Sequence, residues 1–131
     1  MYRITVTTNF RAGHQLKFAP ASTSERGESV TEPYHTHDWK AKAAIGGQGL
    51  DDNGLLFDFN KLKKILESIV CRLDGRKLED LECFENTNAS AENVARYIYD
   101  SIKSQLPKNI DLLYVEVTET PGCKARYGES R

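Results

Sequence analysis

Apolar and polar residues alternate from Tyr2 to His14: Ile4, Val6, Phe10, Ala12 and His14 share one parity, and Arg3, Thr5, Thr7, Asn9 and Arg11 the other. Side chains of a strand point alternately to opposite faces, so the pattern predicts a half-buried strand with His14 at the far end of its inward face. A bulge at Gly13 would break that parity. From Tyr34 to Ile45 the odd positions His35, His37, Trp39, Ala41, Ala43 and Ile45 contrast with Asp38, Lys40 and Lys42. A second strand is expected there, with two histidines opening its inward face. Between the two, Gln15 to Pro33 carries Pro20, Gly27 and several serines without a period and reads as a long surface loop.

The period then changes. Leu62, Ile65, Leu66, Ile69, Val70 and Leu73 recur at three- and four-residue spacing, which predicts an amphipathic helix capped by Asp58 and ending near Gly75. Ala91, Val94, Ala95, Ile98, Ile102 and Leu106 mark a second helix, with Ser90 as its cap, Glu92 in its first turn and Pro107 as its stop. The charged connector Arg76 to Leu81 reads as surface. Leu112 to Thr120 returns to alternation, with Leu113, Val115 and Val117 inward and Glu119 at the next inward position. A carboxylate there needs donors to offset its desolvation, and Arg126 or the amidine-like N–H edge of a ligand could supply them. Cys123 to Gly128 suits a short edge strand. The order ββααββ cannot be built from alternating parallel crossovers, so an α+β fold is expected: an antiparallel sheet with both helices on one face. Exposed edges on so small a sheet invite pairing between subunits.

Length and composition narrow the partners. The 131 residues suit one domain spanning the whole chain. Eighteen basic residues against 19 acidic ones give a net charge of -1, with no basic stripe, so nucleic acid is not the expected partner. No run approaches the ~20 apolar residues of a membrane span, and the N-terminus lacks a signal-peptide pattern; no membrane association and a cytoplasmic location are expected. Glycines 46, 47 and 49 lack the following Lys-Ser or Lys-Thr of a phosphate-binding loop. Cys71, Cys83 and Cys123 are too dispersed for a disulfide framework or a zinc knuckle.

Any metal must therefore be held by the three histidines, His14, His35 and His37. Two residues apart on a strand, His35 and His37 share a face. If the two N-terminal strands pair antiparallel, the end of the first meets the start of the second and all three imidazoles converge. Three protein nitrogens with an open position is the arrangement of a catalytic zinc.

Six stretches taken in order extend this picture: Phe10 to Leu16, His35-Thr36-His37, Gly54 to Phe59, Leu73-Asp74, Asn88 to Asn93, and Val117 to Thr120. Together they resemble the 6-pyruvoyl-tetrahydropterin synthase and 6-carboxy-tetrahydropterin synthase family of the T-fold. The resemblance implies zinc on His14, His35 and His37, and a pterin held by Glu119 through charge-assisted hydrogen bonds. It also implies a homo-oligomer, a trimer or a hexamer of two trimers, whose sheets close into a barrel.

The departures concern proton transfer. The family's basic cysteine before the His-x-His is missing from Gly27 to Tyr34, and its Leu-Asp-His reads Leu73-Asp74-Gly75. Glu32, or else Glu28, is the nearest carboxylate to replace the cysteine, as in a branch of the family that forms a hydroxymethyl product. With a different substrate, Asp74 or Tyr34 is the alternative base. A chain that binds zinc and a pterin-like or purine-like molecule without turnover is the competing expectation. Arg76, Lys77 and Lys124 are candidate phosphate contacts.

Overall fold

The computed structural model describes residues 1–18 and 30–128. In chain order its elements are β1 (Tyr2–His14), β2 (Lys17–Phe18), β3 (Val30–Thr31), β4 (His35–Gly47), α1 (Phe59–Val70), α2 (Ala91–Lys103), β5 (Asp111–Thr120) and β6 (Cys123–Gly128). Short 3₁₀ turns occupy Leu78–Asp80 and Glu82–Phe84. The main sheet is antiparallel in the order β1-β4-β5-β6, and both helices pack on one face of it. This is the expected α+β arrangement. One addition falls where a plain loop was expected: β2 and β3 pair, Lys17 with Thr31 and Phe18 with Val30, at the base of that excursion. Glu28 lies outside the described residues.

β1 and β4 are in unbroken register from Tyr2 opposite Gly47 to His14 opposite His35, so Gly13 introduces no bulge. Gly13 instead admits a neighbour: the Tyr34 side chain fills the space that a Cβ would take. The inward parity of these strands supplies Phe10, Trp39, Ala41, Ala43 and Ile45 to a core shared with Leu62, Leu66 and Ile69 of α1 and Val94, Ile98 and Ile102 of α2. Each large aliphatic side chain so buried contributes roughly 1.5–3 kcal/mol. Small alanines on the central strand leave room for those helical side chains. Phe10 and Trp39 stack at 5.7 Å, and the Trp39 indole N–H donates to the carbonyl of Ala12 (3.1 Å).

The parity expected for β5 changes near its start. Ile45 pairs with Leu112 while Ala44 pairs with Tyr114, so Leu113 is the extra residue of a bulge, and Leu112 is buried in its place. A second irregularity lies between Thr118 and Thr120 on the β6 side, at Glu119. A bulge re-aims a side chain. Tyr99 of α2 is also buried, its hydroxyl donating to the carbonyl of Leu112 (3.3 Å), which an apolar stripe alone could not reveal.

Both helix caps are those expected. Asp58 accepts from the Asn60 N–H, and Ser90 accepts from the Asn93 N–H (3.2 Å). Ser90→Ala should lower stability by about 1 kcal/mol. Denaturant unfolding of the variant beside the natural chain checks this, and an unchanged midpoint would mean that the cap hydrogen bond carries no net stability.

Candidate metal centre

The β1–β4 register delivers the three imidazoles to one end of the sheet. His14 is 1% exposed, and its Nδ1 lies 2.8 Å from the carbonyl oxygen of Ala89, just before α2. A carbonyl only accepts, so Nδ1 carries the hydrogen and the neutral ring presents its lone pair at Nε2. His35 repeats the device, with Nδ1 2.9 Å from the carbonyl of Pro33. The two Nε2 atoms then face each other across 2.9 Å. Nε2 of His37 is shielded from solvent and has no hydrogen-bond partner. Ligand atoms of the three rings all lie within 4.8 Å of one another.

Lone pairs converging at such distances repel unless a proton or a cation lies among them. Imidazoles whose other nitrogen donates to a carbonyl have the fixed tautomer of metal-ligating histidines. The donor set therefore fits a divalent metal. Burial pushes the His37 pKa below the ordinary imidazole value, and the neighbouring rings add to this while the Glu119 carboxylate opposes it. His37 is thereby kept neutral, as a ligand must be.

Among the described residues two carboxylates border the cluster. Glu119 Oε1 lies 3.0 Å from His14 Nε2 and 3.7 Å from His37 Nε2. Arg126 is not its partner, because that guanidinium donates twice to Glu116 (2.9 and 3.1 Å) and lies over the Tyr114 ring. Glu32 Oε1 lies 3.7 Å from His35 Nε2 and accepts the Leu16 N–H (3.0 Å).

Three successive N–H groups after His14 are each taken by a side chain from elsewhere. Gln15 donates to Glu79 (2.9 Å), Leu16 to Glu32 and Lys17 to Asn88 (2.9 Å). Asn88 also donates back to the Lys17 carbonyl (2.8 Å). These bonds fix the chain on leaving His14 and hold its ring against Ala89. Glu79 was not singled out in the sequence because a charged connector looks like surface; the buried Leu78 beside it is what carries it to the site.

The remaining candidates lie elsewhere. Asp74 accepts the backbone N–H of Arg11 (2.8 Å) on the outer edge of β1, three residues and roughly 10 Å along the strand from His14. The Tyr34 hydroxyl occupies the Cβ direction of Gly13, which alternation sets opposite to that of His14. The Arg76 carbonyl accepts from Gly13, Lys77 lies over the Tyr34 ring, and Lys124 is 3.9 Å from Glu116. Lys124 and Arg126 also line a cavity of about 360 Å³ with Ala91, Glu92, Glu119 and Cys123. Glu92, expected only to favour the helix dipole, thus faces the same cavity as Glu119.

The sequence profile of the 6-pyruvoyl tetrahydropterin synthase family matches residues 3–130, and the chain belongs to this family. A Caenorhabditis elegans protein carrying the name 6-pyruvoyl tetrahydrobiopterin synthase is 30% identical over 92% of this chain and 94% of its own length. The Drosophila melanogaster 6-pyruvoyl tetrahydrobiopterin synthase is 32% identical over 90% of this chain and 74% of its own. The dihydroneopterin monophosphate aldolase of Pyrococcus furiosus is 27% identical over 89% of each chain. The solved Caenorhabditis elegans 6-pyruvoyl tetrahydropterin synthase superposes with a TM-score of 0.78 at 25% identity, covering 98% of this chain and 96% of that one. A Plasmodium vivax 6-pyruvoyltetrahydropterin synthase, solved as a catalytic-residue variant, has a TM-score of 0.70 at 16% identity, covering 99% of this chain and 98% of that one, a likeness of fold. The T-fold expectation holds. Among the described residues no helix is long and apolar enough to cross a membrane.

A histidine whose pKa is lowered by folding leaves the unfolded chain binding more protons. Stability of the metal-free protein is expected to be full above the unfolded imidazole value of about 6.5 and to fall as pH drops through it toward the lower folded value. Urea midpoints measured between pH 7.5 and pH 5 check this; a midpoint that rises on acidification would contradict the assignment of His37 as neutral.

Proposed function

We propose that the chain is a zinc-dependent lyase acting on 7,8-dihydroneopterin triphosphate or a close pterin relative, as a cytoplasmic homo-oligomer, trimeric or hexameric. The observation that carries this reading is the convergence of three imidazole acceptors with two flanking carboxylates. Among the described residues the outer edges of β6 and of β1 before Arg11 have no strand partner and suit the pairing of copies into a barrel. When bound, zinc supplies Lewis acidity that makes a C–H beside a substrate oxygen easier to deprotonate.

Glu32 is the base in this reading. It stands before the His-x-His where the family's cysteine is absent, and among the described residues it is the carboxylate nearest His35. Its place beside the imidazoles allows a proton to pass between substrate carbon and carboxylate oxygen. The Plasmodium vivax structure, which shares the fold, is of a variant at a catalytic glutamate. The Pyrococcus furiosus relative is an aldolase, and cleavage of the side chain to a 6-hydroxymethyl product with a carboxylate base is the second reading of the reaction. Glu119 takes the donor edge of the ring from the 360 Å³ cavity, with Glu92 beside it. Asp74 is the second proton-handling candidate; bonded to the Arg11 N–H on the outer edge of β1 and away from the imidazoles, it would take part only if a neighbouring copy brought a substrate to it.

Incubation of the zinc-loaded protein with 7,8-dihydroneopterin triphosphate, followed by mass spectrometry, tests the reading. A pyruvoyl, carboxy or hydroxymethyl product is expected. Unchanged substrate in the presence of bound zinc and bound pterin would leave a binding protein in place of an enzyme. Glu32→Gln keeps an oxygen to accept the Leu16 N–H and so keeps the fold, yet should cut turnover by roughly 10²-fold or more with zinc content unchanged. Full activity in that variant would remove Glu32 from the mechanism.

A further inference from the structure

Glu119 is read above as a group for the substrate ring, yet its carboxylate does not turn wholly to the cavity. Oε1 lies 3.0 Å from Nε2 of the buried His14 and 3.7 Å from Nε2 of His37. Ligand atoms bound at ~2.0–2.2 Å in a tetrahedral zinc site lie about 3.4 Å apart. Those two distances bracket that value, and the 2.9 Å between the His14 and His35 nitrogens is close below it. Among the described residues the Glu119 carboxylate has no lysine, arginine or backbone N–H partner, and the cation that sequence parity offered it, Arg126, is bound to Glu116. It is an anion directed at acceptors.

Glu32 provides the contrast. Its Oε1 reaches only one imidazole, at 3.7 Å, and already accepts the Leu16 N–H. Glu119 faces two imidazoles and sits at the irregular end of the β5–β6 pairing, where the side chain is turned toward the end of the sheet that holds them.

We propose that Glu119 is the fourth ligand of the metal centre in the substrate-free protein, closing through Oε1 the position that a substrate oxygen takes later. The same carboxylate lines the 360 Å³ cavity, so on leaving the metal it is already beside the ring it is read to hold. The inference rests on the zinc reading above.

Zinc affinity of the full chain is measured by chelator competition, with cobalt as a spectroscopic substitute and no pterin present. Glu119→Gln should weaken zinc binding by at least about 10-fold and should shift the visible cobalt bands, because an amide oxygen replaces an anionic one. Glu32→Gln, which also removes a carboxylate beside the histidines, should leave both unmoved. Should Glu119→Gln fail to fold by circular dichroism, Glu119→Asp is measured in its place; it keeps the charge, withdraws the oxygen by one methylene, and should show the same loss. Natural affinity and unmoved cobalt bands would overturn the fourth-ligand role and leave a three-histidine centre standing. Failure of the natural chain to take up either metal, with His14→Ala indistinguishable from it, would overturn the metal reading itself.

Discussion

Three imidazole lone pairs directed into one small volume form an arrangement that the polypeptide alone cannot satisfy. Burial leaves His37 Nε2 without a donor, and the carbonyls of Ala89 and Pro33 commit His14 and His35 to presenting acceptors. An unsatisfied buried polar atom costs about 1–3 kcal/mol, so folding brings these groups together at a loss that a bound cation recovers. Everything else near the site serves to make that arrangement unavoidable. The long antiparallel register of β1 on β4 ends with His14 opposite His35, and a slip of one residue would turn His14 to the other face.

Metal-site precision at one end of a sheet depends on anchors outside the sheet. The His14 ring is held by a carbonyl one residue before Ser90, which caps α2, so the helix start and the ring orientation are one structural unit. Beyond His14, where β1 ends, Glu79, Glu32 and Asn88 take over the N–H groups of three consecutive residues. Asn88 is in turn fixed by Asn93, whose side chain donates to the Asn88 carbonyl (2.9 Å). These bonds join the 3₁₀ turn, the segment before β4 and the start of α2 to the same short length of chain.

Much of this was legible in the sequence because period-two alternation is a strong signal where one face is buried. The parities of Val6 to His14 and of His35 to Ile45 were enough to put three histidines on one inward face, and the helical stripes needed only their spacing. What escaped was what alternation cannot encode. The bulge at Leu113 exchanges Leu112 for Leu113 in the core without a glycine or proline to mark it. Tyr99 is buried through its hydroxyl bond to Leu112, and Glu79 serves the site through a backbone contact that has no sequence pattern. Of the two partners expected for Glu119, Arg126 is taken by Glu116 for a related reason: the two are cross-strand neighbours, and direct pairing prevails over a longer reach to the strand end.

The missing cysteine and relay histidine acquire a physical meaning from the positions of the remaining acids. Asp74 without a histidine beside it has one oxygen bonded to the Arg11 N–H, and Gly75, at φ 73°, turns its own N–H to the Arg11 carbonyl (2.6 Å). In this chain the segment has become a clamp on the edge of β1, a role for which a glycine with positive φ is better suited than a histidine. Among the described residues, Glu32 and Glu119 are the two acids whose carboxylates border the imidazoles. Their surroundings separate them: Glu32 accepts a backbone N–H and lies 3.7 Å from His35, whereas Glu119 is aimed at two ring nitrogens with no other donor among the described residues. Two carboxylates with such different partners are not interchangeable, and the proposed reading gives them different work, one exchanging a proton and the other holding positive charge.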